Sequence, residues 1–165
     1  MNGSLDLTLM PTFFLDKVSL QHGNAGALYG AGTLGGAIHL GSDTRLQPGT
    51  SGKLFQQFGS FGDRQLGIQL QYGDQAGLLR IRAFDRKADN DFPYYNIYRN
   101  REERRQHAGL SQRGILTEFY RKVSSLQRLS VKFWLQDKDL ELPGVVAAGC
   151  ATQALQSDLF HRMVL

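Results

Sequence analysis

The residues of this chain that could do chemistry are few and poorly grouped. Gly30-Ala31-Gly32-Thr33-Leu34-Gly35 has the spacing of a dinucleotide-binding turn, where glycines let backbone approach a pyrophosphate. That chemistry needs a preceding strand, a helix opening at the turn and an acidic residue about 20 positions on. The following Gly36-Ala37-Ile38-His39-Leu40-Gly41-Ser42 is too short and Gly-rich for that helix, and the neighbouring acids are Asp43 and Asp63. The glycines read instead as places where chain segments pack closely. Gly109-Leu110-Ser111-Gln112-Arg113-Gly114 is one residue too long for a nucleophile elbow. His22, His39, His107 and His161 are scattered, without the i, i+4 pair of a zinc helix. Asp137, Asp139 and Glu141 alternate and could converge on a cation; the plainer reading is a solvated strand end. Arg99–Arg105 mixes four Arg with two Glu, which suits an exposed, ion-paired loop better than a phosphate-binding stripe. The lone Cys150 forms no disulfide within the chain and reads as a small apolar filler. The sequence therefore predicts no catalytic set, no metal site and no cofactor, and points away from an enzyme.

Composition narrows the class further. Glycine supplies 19 of 165 residues, while proline supplies only 4, so the chain is neither collagen-like nor Pro-rich and disordered. A net charge of +4 with both signs mixed along the chain argues against nucleic acid as a partner. The longest stretch without Lys, Arg, Asp or Glu, residues 18–42, is broken by glycines and is no membrane-spanning helix. The first residues, Met1-Asn2-Gly3-Ser4-Leu5-Asp6, lack the basic-then-apolar order of a signal peptide, which taken alone suggests cytoplasm.

The elements that must position any site are strands. The turn signal Pro48-Gly49-Thr50-Ser51-Gly52 divides a Gly-rich region, 1–48, from a strand-like region, 49–165. The first region reads as having no strands of its own. In the second, Leu66, Ile68, Leu70 and Tyr72 alternate strictly with Gln65, Gly67, Gln69 and Gln71. Gly73–Gly77 reads as a tight hairpin turn. Leu79, Ile81 and Ala83 then oppose Arg80, Arg82 and Arg86, with Phe84 falling on the Arg side. A polar segment follows from Ala88 to Gln106. From His107 to Val123 the alternation resumes, and the sequence does not decide which of its faces is which. Leu129, Val131, Phe133 and Leu135 alternate with Ser130, Lys132, Trp134 and Gln136; residues 137–152 read as loop, and a last strand begins near Gln153. With an opening strand at Lys53–Gly59, the prediction is a mainly β chain, an antiparallel meander of about six strands.

Alternation fits a soluble sheet with one wet face, or a membrane barrel whose apolar face meets lipid. Strands of roughly 10 residues suit a tilted bilayer crossing, and connections that alternate long and short suit a barrel with long loops on one side. A soluble β-sheet binding or structural module, and a complete eight-stranded membrane barrel, stay open as alternatives.

One segment is more specific. Val18-Ser19-Leu20-Gln21-His22-Gly23, Ala27-Leu28-Tyr29-Gly30 and Gly35-Gly36-Ala37-Ile38 resemble, in order and spacing, the end of the plug domain of TonB-dependent outer-membrane receptors. The matching positions are Gly23, Leu28, Tyr29, Gly30, Gly35, Gly36 and Ile38. The short hairpin at Gly59-Ser60-Phe61-Gly62 and the Leu142-Pro143-Gly144 loop also resemble the first part of that family's barrel. The family's Arg-Gly-Pro turn reads His22-Gly23-Asn24 here, and its acidic residue on the preceding strand is Ser19, so the charged latch between plug and barrel has no counterpart at these positions. The resemblance implies a bacterial outer-membrane protein in which residues 1–48 are the C-terminal part of a plug and 49–165 the N-terminal portion of a 22-stranded transmembrane barrel. It implies import of a scarce nutrient such as an iron–siderophore complex or cobalamin. It implies as partners the lipid bilayer, the small-molecule ligand and the TonB energy-transducing complex, whose contact segment would lie ahead of Met1 along with the leader. It places Arg80, Arg82, Lys132 and Gln136 on the lumen side, and Phe92, Tyr94, Tyr95 and Tyr98 on an external loop that offers a flat or anionic ligand aromatic and Arg contacts.

Overall fold

A computed structural model describes residues 10–23, 36–46, 48–146 and 152–165. The chain forms two compact units, residues 1–45 and 46–165. Leu28, Tyr29, Gly30 and Gly35 of the plug-like motif lie outside the described residues, as does Cys150.

The first unit contains strands, contrary to the sequence expectation. A 3-10 turn at Thr12–Phe14 leads into β1 (Lys17–His22), which pairs antiparallel with β2 (Gly36–Gly41). The register sets Val18 opposite Leu40 and Leu20 opposite Ile38, so the apolar residues of two short strands meet. Each strand is too short, and β2 too Gly-rich, for its period to stand out in the sequence. Gly36 adopts φ +142°, and a Cβ there would lie 2.5 Å from the Gln21 carbonyl oxygen. Only glycine allows that approach. Asp43 closes the ladder by accepting from Arg45 and donating its backbone N–H to Asp16 at 2.8 Å.

The second unit is an antiparallel sheet ordered β3 (Gly49–Phe58), β4 (Arg64–Gly73), β5 (Gly77–Ala88), β8 (Leu110–Lys122), β9 (Arg128–Leu142) and β10 (Ala154–Val164). This is the six-strand meander expected from alternation. A separate two-stranded hairpin, β6 (Pro93–Asn96) with β7 (Arg101–Arg104), is inserted between β5 and β8. It occupies the segment read as plain polar loop, because Pro93, Asn96 and the Arg/Glu run mask its period. The loop expected at 137–152 is also shorter than read. Residues 137–142 extend β9, since Asp137, Asp139 and Glu141 still alternate with Lys138, Leu140 and Leu142. The three acids do not converge: Asp137 pairs with Arg113 at 3.0 Å, and Glu141 accepts the Gly109 N–H at 2.9 Å.

Register fixes the faces that the sequence left undecided. Leu116, Glu118 and Tyr120 join Arg80, Arg82 and Gln69 on one face; Ile115, Thr117 and Phe119 join Ile68 and Ala83 on the other. Phe84, the apolar residue on the Arg side, has a structural role. It stands opposite Gly114, and a Cβ on Gly114 would lie 2.9 Å from its ring. The ring thus covers the glycine of the neighbouring strand.

The buried face of the sheet carries ions as well as Leu78, Phe84, Ala88, Leu116 and Tyr120, while the other face is exposed and apolar. Arg82 and Glu118 are fully buried, and Gln136, Lys138, Gln112 and Gln69 are nearly so. On the opposite face Leu66, Ile68, Leu70 and Tyr72 are 45–59% exposed. One apolar row runs Leu54, Ile68, Ala83, Ile115, Leu135 across five strands, exposed at Leu54, Ile68 and Leu135 and half-buried between. Towards the long connections the next rows bring Asp85, Arg113 and Asp137, then Arg64, Lys87 and Asp139. Towards the short turns, Arg121 ends the band opposite Gly77. The result is an apolar band with charged rows at its long-connection edge and Arg121 at the other.

Candidate functional site

The polar face is organised around Glu118. Its carboxylate receives Arg80 Nη1 at 3.4 Å, Lys132 Nζ at 3.3 Å and the Tyr120 hydroxyl at 3.1 Å. Arg80 also donates through Nε to Gln71 at 2.9 Å, and Arg82 donates to Gln69 at 2.8 Å. Apart from Tyr120, which lies two residues along β8 from Glu118, each of these partners is a cross-strand neighbour in the register, Gln69 facing Arg82 and Gln71 facing Arg80. A one-residue slip would put every one of these groups on the apolar side. Arg86 leaves the row to pair with Asp63 at 3.0 Å in the β3–β4 turn. Trp134 sits on the same face, edge-on to Phe160 at 4.7 Å, with its Nε1 3.3 Å from Gln136 Oε1. The four residues expected on one face, Arg80, Arg82, Lys132 and Gln136, do share it.

The aromatic residues of the long connection separate. Phe92 packs edge-on against Phe61 of the β3–β4 turn, centroids 6.1 Å apart. Tyr94 is half-buried and donates to Glu103 at 3.2 Å. Tyr95 is exposed and bonds Asn100; Tyr98 is exposed and offers only its backbone N–H, to Asn96 Oδ1 at 3.0 Å. Of the four, only Tyr94 lines the cavity of about 390 Å³ beside the hairpin, together with Arg101, Arg105, His107 and Thr152. A second cavity, about 690 Å³, lies where the strands meet the long connections, between Phe58, Arg64, Lys87, Asp139 and Leu155.

Glu103 holds the β6–β7 hairpin closed. Asn96 Nδ2 reaches it at 2.8 Å, Arg101 Nε at 2.7 Å and Arg99 at 3.3 Å, besides Tyr94. Donation from Asn96 first, then from the two arginines and the tyrosine, holds its pKa down at about 2. Asp74, in the β4–β5 turn, is likewise lowered by the backbone N–H groups of Ala76 and Gly77. Sequence reasoning missed Glu103, Asn96, Glu118 and Gln69. A lone Glu at even parity between Leu116 and Tyr120 was the available signal for Glu118, but its partners depended on which strands would pair.

Among the described residues no group of three or more His, Cys, Asp or Glu side chains is placed to hold a metal. No helix among them is long and apolar enough to cross a membrane, which says nothing about crossing by strands. No protein-family model matches the chain, and no curated protein matches it.

Proposed function

We propose that the chain is part of a TonB-dependent outer-membrane receptor, carrying the end of the plug and the first strands of the barrel, and that it takes part in nutrient import rather than catalysis. Its polar face lines the lumen and its apolar band meets lipid. The observation that carries this reading is an exposed apolar face set against a buried face that holds ions. In water, Leu66, Ile68, Leu70 and Tyr72 together leave on the order of 3–6 kcal/mol of burial unrealised. The opposite face meanwhile holds ions whose desolvation costs several kcal/mol each. Placed against hydrocarbon, the same band is where apolar residues belong, with the charged rows of its long-connection edge at one interface and Arg121 towards the other. Among the described residues β3 and β10 have no strand on their outer edges, which suits a sector of a wider barrel, since closure removes edges. The plug-like motif around Gly23, Gly36 and Ile38 supports the same family, with TonB, the bilayer and a small nutrient as the partners it implies.

Adjacent residues of β3 test it. Lys53 lies on the polar side and Leu54 on the apolar side, and both are exposed. Nitroxide labels on Lys53→Cys and Leu54→Cys, in the full chain reconstituted in lipid nanodiscs, should respond oppositely. The label at 54 should relax with oxygen and ignore a polar nickel chelate; the label at 53 should do the reverse. Equal exposure of both labels to the nickel chelate would sink the membrane reading and favour a soluble sheet module.

A further inference from the structure

We infer that the polar face is built to receive a small multivalent anion, of the polyphosphate or polycarboxylate kind. The inference rests on the barrel reading and adds the chemical class of solute that this face admits. It begins from how register sorts the charges. On the polar side β3 contributes Lys53, and β5 contributes Arg80, Arg82 and Arg86. To these β8 and β9 add Lys122, Arg128, Lys132 and Lys138, and β10 adds Arg162. The carboxylates among these strands' polar-side residues are only Glu118 and Asp158. On the apolar side the charges balance: Arg64, Lys87, Arg113 and Arg121 stand with Asp85, Asp137, Asp139 and Glu141. One side of the sheet therefore carries a larger positive excess than the +4 of the entire chain, and the other side none.

Three further observations say that this excess is available to a ligand. Lys53, Lys122, Arg128 and Arg162 are exposed and make no ion pair among the described residues. Lys122 and Arg128 stand directly opposite each other, a like-charge pair that an anion between them would relieve. Gln112 is 4% exposed, and its amide Nε2 has no acceptor among the described residues. It lies in register between Arg86, which pairs with Asp63, and Lys138, which faces Asp158, so an anion oxygen arriving there meets a donor that no group of the sheet satisfies. Same-sign charge along a surface with low-dielectric walls concentrates counter-charged solutes, and salt weakens the effect.

Trp134 is the chain's only tryptophan, lies on this face and pairs in register with Arg162. Its fluorescence reports occupancy without added probes. In the full chain in lipid nanodiscs, inorganic tripolyphosphate should give a saturable change in Trp134 emission, and the trivalent cation spermidine at equal ionic strength should give none. Raising salt from about 0.05 M to about 0.5 M should weaken the binding by at least about tenfold. The double variant Lys53→Gln/Arg162→Gln should weaken it by about fivefold. Arg113→Gln/Arg121→Gln, on the apolar side, should leave it unchanged. Absence of a saturable signal, or equal loss in both double variants, overturns the inference. So does binding of a DNA duplex in place of tripolyphosphate. If the labels at 53 and 54 report lipid as expected and tripolyphosphate does nothing, the barrel reading stands and the anion face falls. If the labels fail while binding still follows Lys53 and Arg162, the anion face stands as a property of the sheet alone.

Discussion

Two glutamates, each surrounded by donors, show how differently the sheet and its inserted hairpin are held. Glu118 is fully buried and joins Arg80, Lys132 and Tyr120, drawing on three strands. Glu103 keeps 17% of its side chain exposed and joins Asn96, Tyr94, Arg99 and Arg101, all within its own hairpin. The first arrangement depends on sheet register, because β5, β8 and β9 must align before its members meet. The second forms from local chain alone and stiffens a connection without touching the sheet. Charge buried across strands specifies topology; charge gathered within a hairpin shapes a loop.

The sharpest way to break the comparison is to neutralise each carboxylate. Glu118→Gln should destabilise the sheet most, by about 3–5 kcal/mol, because buried Arg80 loses its counter-ion, which half-exposed Lys132 shares. The readout is the denaturant midpoint in detergent. A shift no larger than that of an exposed ion pair would mean that the polar face is not the device that fixes register. Gly114→Ala comes next. Its new Cβ meets the Phe84 ring, so overpacking of about 1–3 kcal/mol is expected, and Phe84→Leu in the same chain should recover part of the loss. If Phe84→Leu deepens the loss instead, the ring-over-glycine contact is not the cause. The smallest effect belongs to Glu103. Its carboxyl titrates at about 2 when the hairpin is closed, against the ordinary 4.5. The contribution to hairpin stability is therefore complete above pH 4.5 and disappears as pH falls through about 2. Amide exchange should show β6 and β7 loosening across that window while β4, β5 and β8 stay protected. Loosening that spreads to the sheet at the same pH would erase the distinction between the two glutamates.

How much of this was readable from sequence varied with how strict the alternation was. Residues 65–72 alternate without a break, so β4 and its faces were legible outright. β9 was read short because Asp137, Asp139 and Glu141 look like loop, although on an exposed sheet face acids keep a period of two as well as apolar residues do. The β6–β7 hairpin was missed because Glu103 and Asn96 act through side chains rather than through an apolar pattern. The aromatics Phe92, Tyr94, Tyr95 and Tyr98 share one loop in the sequence, but the hairpin turns them to different neighbours. Arg80 and Arg82 share a face, as residues two apart on a strand do whatever the partners are.

The sequence by itself determined the mainly β, antiparallel character and the two sets of residues that each strand presents. Those follow from covalent geometry, because side chains alternate along extended backbone. Only the tertiary structure decided which set is buried. It also decided that Glu118 meets Arg80 and Lys132, and that positive charge accumulates on one side while cancelling on the other. Those facts depend on register between strands distant in the chain, and the energy of a charge depends on what stands across from it, not on what stands beside it in sequence.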